Sequence, residues 1–315
     1  MRIDKYLDLN KKSMQSILLI VTSLCPFYVM SQGVYFPFPE SHFIEIHGVK
    51  LHYRRIGPPL PIPEKRILML HGLGASTISW QPCIAPLVQQ GFEILLVDLP
   101  PFGYSDGRRY INHSFSAQAL LCWKLIDSVY QDTASWHLIG HSMGAAITGA
   151  MGAYRPVRTK SLTTVDGIVF NGGLYIPKSL SWLLRKPLSQ DIVSLVGARF
   201  FFRERAMKRL LTSAYGRSPT VEEVQGYLTP LKKPKQAMSF LDILSRSHEA
   251  FDYSTNVLNM PFLIIWGDKD RWLPFGAGYN MKKDFPHAKM YLIPGAAHVP
   301  METHTQEFLD LLLPF

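Results

Sequence analysis

The pentapeptide Gly140-His141-Ser142-Met143-Gly144 follows directly on the apolar run Ser135-Trp136-His137-Leu138-Ile139 and leads into Ala145-Ala146-Ile147-Thr148-Gly149-Ala150. Few folds accommodate this. A strand that passes straight into a small-residue helix needs a turn so sharp that its central residue takes up a strained backbone. Side chains at 140 and 144 would collide with the neighbouring strand and helix, so both positions need glycine. The same turn lifts the Ser142 hydroxyl clear of the sheet, where a base can reach it. A five-residue pattern also recurs by chance in unrelated chains, so the weight falls on what accompanies it.

A serine hydroxyl is a poor nucleophile at neutral pH unless a base takes its proton and a carboxylate orients that base. Phe262-Leu263-Ile264-Ile265-Trp266 reads as a fully buried strand and runs into Gly267-Asp268-Lys269-Asp270. Lys289-Met290-Tyr291-Leu292-Ile293 reads as a second buried strand and runs into Pro294-Gly295-Ala296-Ala297-His298. A carboxylate and an imidazole thus sit just past strand C-termini, the edge where open α/β sheets bind ligands. The expected catalytic set is Ser142, Asp270 and His298. Two other acids compete for the orienting role. Asp268 more naturally shapes the turn, and Asp166 follows the strand-like Leu162-Thr163-Thr164-Val165. An oxyanion needs two backbone donors. Met143, just after the serine, supplies one expected N–H. Leu73, in the loop His71-Gly72-Leu73-Gly74-Ala75-Ser76, supplies the other. His71 is expected to brace that loop rather than act as a base.

Strands are expected near 43–47, 50–56, 66–70, 93–97, 136–140, 161–165, 262–266 and 289–293. Helices are expected near 80–90, 116–131, 143–154 and 304–312. This alternation predicts an α/β class: a mostly parallel central sheet with helices on both faces, after an initial hairpin. Residues 172–255 break the alternation with helical apolar spacing, as in Val221, Val224, Tyr227 and Leu228. They read as an inserted helical cap between core segments 32–171 and 256–315. Such a cap excludes water and shapes a substrate pocket. Its aromatic residues Tyr175, Trp182, Phe200, Phe201 and Phe202 suit an apolar substrate.

With these residues in view, the chain resembles the α/β-hydrolase superfamily. It is most similar to the capped branch that holds epoxide hydrolases, haloalkane dehalogenases, haloperoxidases and meta-cleavage-product hydrolases. The resemblance is carried by Leu70-His71-Gly72, Trp80, the stretch Asp98 to Asp106, Gly140 to Gly144, Trp266-Gly267 with Asp270 and Pro274, and His298-Val299-Pro300 with Glu302. It spans roughly residues 43 to 315. Epoxide hydrolases and dehalogenases carry aspartate at the elbow, so Ser142 implies acyl transfer to water instead. Pro101 and Ala297 stand where the family usually has glycine. The resemblance implies a carboxylesterase- or lipase-like hydrolase working through an acyl-enzyme. It leaves open cleavage of a C–C bond, an amide or another acyl bond, because fold does not fix substrate.

The remaining features bound partners and location. The net charge of +9 includes the cluster Arg199, Arg203, Arg205, Lys208 and Arg209. No nucleic-acid motif accompanies it, so a solvated helix face is expected and a small molecule is the expected partner. Arg2, Lys5, Lys11 and Lys12 precede an apolar run from Ile17 to Met30, which reads as a secretory signal peptide over residues 1–31. A membrane anchor formed by residues 17–30 is the alternative, although the run is short for a span and Pro26 interrupts it. Three cysteines make no disulfide framework. Cys83 and Cys122 are expected as buried thiols, and no metal or organic cofactor is expected. A ligand-binding protein without catalysis, or a membrane-surface protein, on the same fold are the rival readings.

Overall fold

The computed structural model describes residues 37–107, 111–169, 203–231 and 257–315. The chain divides into two units, Met1–Pro37 and Phe38–Phe315, and the sheet and its helices belong to the second. The expected leader or anchor and the expected cap segments 172–202 and 232–255 lie outside the described residues.

In chain order the strands are β1 (Ser41–Ile46), β2 (Val49–Ile56), β3 (Arg66–Leu70), β4 (Glu93–Val97), β5 (Trp136–His141), β6 (Thr159–Val165), β7 (Phe262–Gly267) and β8 (Lys289–Ile293). The helices are α1 (Gln81–Gln89), α2 (Phe115–Tyr130), α3 (Met143–Tyr154), α4 (Glu204–Tyr215), α5 (Val221–Leu231), α6 (Gly276–Asp284), α7 (Pro300–Thr303) and α8 (Thr305–Leu312). The strands form one sheet in the order β1-β2-β4-β3-β5-β6-β7-β8. β2 pairs antiparallel with β1 and β4, and every later pairing is parallel.

The central strands explain the continuous apolar runs. β3, β4 and β7 are buried at every position, because helices cover both faces of a parallel sheet. β8 corrects the expectation of a second buried strand. It forms the sheet edge, with Lys289 and Tyr291 exposed and only Ile293 buried. An apolar run alone does not distinguish a central strand from an edge strand half covered by helices.

The helices start and stop where local chemistry dictates. α2 begins at Ser114, whose Oγ accepts the Ala117 N–H at 3.2 Å, and ends at Gln131 in the left-handed region (φ 52°). Its buried stripe of Ala119, Cys122, Trp123 and Ile126 faces the core, and the Trp123 indole N–H donates to the Met151 carbonyl on α3. Cys83 and Cys122 are buried free thiols, and burial pushes the Cys122 thiol up to about 12. Of the expected cap, residues 203–231 carry α4 and α5. Met207, Leu211, Ala214 and Tyr215 form the buried side of α4, while its basic residues Arg205, Lys208 and Arg209 are exposed.

Candidate active site

Ser142 stands between the end of β5 and the first turn of α3, with φ 50° and ψ −116°. Such a backbone is costly for a side-chain-bearing residue and persists only where its surroundings dictate it. Here they do. The Ser142 N–H donates to the Val165 carbonyl at 2.9 Å, and a Cβ on Gly144 would come within 2.4 Å of the Leu70 carbonyl oxygen. Gly140 faces a similar limit, 2.3 Å from the Gly144 carbonyl oxygen. The helix can therefore press against β3 and β5 only with glycine at both places.

The structure brings Ser142, His298 and Asp270 into one hydrogen-bonded chain. His298 Nδ1 lies 2.8 Å from Asp270 Oδ2, and Nε2 lies 3.1 Å from Ser142 Oγ. In the tautomer a carboxylate imposes, Nδ1–H donates to Asp270 and Nε2 is left to accept the serine proton. Asp270 Oδ1 accepts two more donors, the N–H groups of Trp272 at 2.7 Å and Leu273 at 3.1 Å. Burial pushes Asp270 upward. The bond from His298, its charge and the two N–H donors outweigh that, so Asp270 lies below the usual carboxylate range.

Asp268 does not reach the imidazole by any bond. Its Oδ1 accepts the Gly295 N–H at 2.7 Å and ties together the two loops that carry Asp270 and His298. Asp166, the other acid considered, is fully buried beside the triad. Asp166, Asp270 and His298 place one ligand-type atom each within 4.8 Å of one another. Both His298 nitrogens are already engaged, which leaves no imidazole lone pair for a cation in this arrangement.

The loop expected to hold the oxyanion lies beside Ser142. A Cβ on Gly72 would fall 3.1 Å from Ser142 Cβ and 2.8 Å from His141 Nδ1. Met143 opens α3, whose first-turn N–H groups lack intrahelical acceptors. Leu73 follows Gly72 in that loop. His71 braces it: Nε2 accepts the Leu99 N–H at 2.9 Å and Nδ1–H donates to the Gly72 carbonyl at 2.7 Å. Asp98 fixes the adjoining segments by accepting the N–H groups of Thr77 and Tyr104, each at 2.7 Å.

Several contacts around His298 were not legible from spacing. Its N–H donates to the Ala214 carbonyl of α4 at 2.9 Å, and its carbonyl accepts His141 Nε2–H at 2.7 Å. Burial pushes His141 down to about 3, so that ring is a neutral support. The Trp272 ring stacks on the His298 ring with centroids 5.0 Å apart, and its indole N–H donates to Ser213 on α4 at 3.0 Å. Glu302 accepts hydrogen bonds from the hydroxyls of Tyr215 on α4 and Tyr227 on α5. The segment after β8 is thus joined to α4 and α5 at several points.

A mostly parallel sheet with a strained serine at this strand end defines an α/β hydrolase. A family model for the alpha/beta hydrolase fold matches residues 65–305, and the chain belongs to that family. It is 25% identical over 273 residues to an uncharacterised hydrolase, YugF, of Bacillus subtilis, covering 86% of this chain and 95% of that one. It is 26% identical over 262 residues to a 2-hydroxy-6-oxononadienedioate/2-hydroxy-6-oxononatrienedioate hydrolase of Cupriavidus pinatubonensis, covering 79% and 86%. Among solved structures, a probable hydrolytic enzyme from Pseudomonas aeruginosa PAO1 superposes with a TM-score of 0.73 at 18% identity, covering 90% of this chain and 95% of the other. A membrane phospholipase A superposes at 0.69 and 19% identity, covering 96% and 98%.

Proposed function

We propose that this hydrolase is a serine hydrolase acting on an ester-like bond of a small, apolar substrate through an acyl-enzyme. One observation carries the reading: the unbroken chain of hydrogen bonds from Ser142 Oγ through His298 to Asp270. His298 Nε2 takes the hydroxyl proton as Ser142 attacks the carbonyl carbon. Asp270 holds the ring in the reactive tautomer and stabilises the imidazolium that forms. The N–H groups of Leu73 and Met143 are assigned to the oxyanion. Losing one such donor typically costs about 10²–10³ in rate. The imidazolium then gives its proton to the leaving group. Water, activated by the same nitrogen, releases the acid and frees Ser142. Trp272, stacked on the ring, covers one of its faces.

A second reading is favoured by the curated relatives that are named for 2-hydroxy-6-oxononadienedioate hydrolysis, at 24–26% identity. In that reading the same three residues serve cleavage of a carbon–carbon bond. The test sets p-nitrophenyl esters of graded chain length beside 2-hydroxy-6-oxononadienedioate, with mass spectrometry of the enzyme during turnover. Turnover of the esters with a mass added at Ser142 supports the proposal. Turnover confined to the dienedioate supports the second reading. Turnover of either that persists in Ser142→Ala rules out both.

A further inference from the structure

Two carboxyl groups crowd the single imidazole of this site, one more than a triad uses. Asp166 ends β6 and Asp270 follows β7, and both lie with His298 inside the 4.8 Å cluster. Asp166 Oδ1 accepts the Gly267 N–H at 2.9 Å. No protein donor reaches the buried Oδ2 among the described residues. An Asp166 carboxyl oxygen instead lies within 4.8 Å of an Asp270 carboxylate oxygen, with no water-exposed surface on Asp166. Two ionised carboxylates are both acceptors, so a hydrogen bond between them requires a proton on one.

Asp270 is the poorer place for that proton. It accepts His298 Nδ1–H and the N–H groups of Trp272 and Leu273, and it faces the ring that becomes cationic. Among the described residues, Asp166 has a single donor and no cation bonded to it. Like charges this close and out of water do not both ionise. Burial first, and then the Asp270 charge, push Asp166 well above the usual carboxylate range. Among the described residues, the other titratable groups facing the pair are His298 and, behind it, the neutral His141.

We propose that Asp166 is a neutral carboxylic acid in the working enzyme, its Oδ2–H donating to Asp270 and fixing the carboxylate that orients His298. It is a positioning residue and acts through Asp270. Its influence on rate rests on the serine-hydrolase reading; its protonation does not.

Asp166→Asn retains both bonds, with an N–H toward Asp270 and an oxygen for Gly267. Asp166→Leu retains neither. Infrared spectra at neutral pH are compared in the carbonyl region of protonated carboxyl groups, with Glu302→Gln as control for another raised acid. The expected parent band is lost in Asp166→Asn and kept in Glu302→Gln. In kcat/KM against pH, Asp166→Asn stays within about threefold of the parent with its acidic limb unmoved. Asp166→Leu loses about tenfold or more, as for a bond to a charged group. Its acidic limb moves to higher pH, because Asp270 without its donor holds the imidazolium more tightly. The proposal is overturned if no band disappears in Asp166→Asn, or if that variant's acidic limb moves to lower pH, as when a true negative charge leaves the imidazole's side. Should Asp166→Asn fail to fold, Glu302→Gln decides: a protonated-carboxyl band that remains supports the proposal, and none remaining overturns it. The infrared result needs no turnover, so failure of the hydrolase reading would leave it standing.

Discussion

His298 is held on every side that a catalytic imidazole does not need free. Its backbone is tied to Ala214 and His141, its Nδ1 to Asp270, and one ring face is covered by Trp272. What remains is Nε2, aimed at Ser142. The carboxylate matters through the tautomer it imposes. In Asp270→Asn, the oxygen stays with the Trp272 and Leu273 N–H groups and the amide NH₂ faces Nδ1, which stabilises the wrong tautomer. Steady-state assay should then show kcat down by about 10⁴ with an unchanged fold; a loss under about tenfold would mean that Asp270 does not orient the base. Ser142 and His298 were legible in the sequence because each sits within a few residues of an apolar run whose end is readable. Asp270 was harder, because three acids at strand ends look alike until the loops are placed. Trp272 and Ala214 left no trace, since their roles depend on contacts between segments far apart in the chain.

The elements set these distances by packing closely. α3 lies against β3 because Gly144 puts hydrogen where any other residue puts carbon, 2.4 Å from the Leu70 carbonyl oxygen. Gly144→Val cannot be absorbed by a flexible neighbour, since the obstacle is backbone. It should lower stability by about 1–3 kcal/mol or more in urea unfolding, together with loss of activity; a neutral effect would show that the elbow has room for a side chain. Helices α4 and α5 are fastened by a second polar cluster. Burial, helped by the Glu223 charge, pushes Glu302 up to about 7 although the Tyr215 and Tyr227 hydroxyls donate to it. A raised carboxyl binds its proton more tightly folded than unfolded. Its favourable contribution is complete below the unfolded carboxylate range and fades as pH rises to about 7. The Tm of the parent should therefore fall relative to that of Glu302→Gln between about pH 5 and 7, measured by calorimetry at matched ionic strength. Parallel curves would show that Glu302 does not titrate there. The α/β alternation was legible from apolar periodicity, whereas α6 and the exposure of β8 were not: a short polar helix and a sheet edge depend on what covers them.

Within the unit Phe38–Phe315, α4 and α5 share contacts with the segments that carry Asp270 and His298. The α4 helix touches His298 through Ala214, Trp272 of the Asp270 loop through Ser213 and Glu302 through Tyr215, and α5 touches Glu302 through Tyr227. Among the described residues no helix is long and apolar enough to cross a membrane. The central claim is that Ser142 is a nucleophile activated by His298. Its most direct measurement is covalent labelling of the folded protein with a fluorophosphonate, followed by mass spectrometry of the peptide that carries residue 142. The expected result is one adduct per chain, on Ser142, abolished in Ser142→Ala and slowed in His298→Ala. Folded parent protein that takes no label, or takes it at another serine, would contradict the claim.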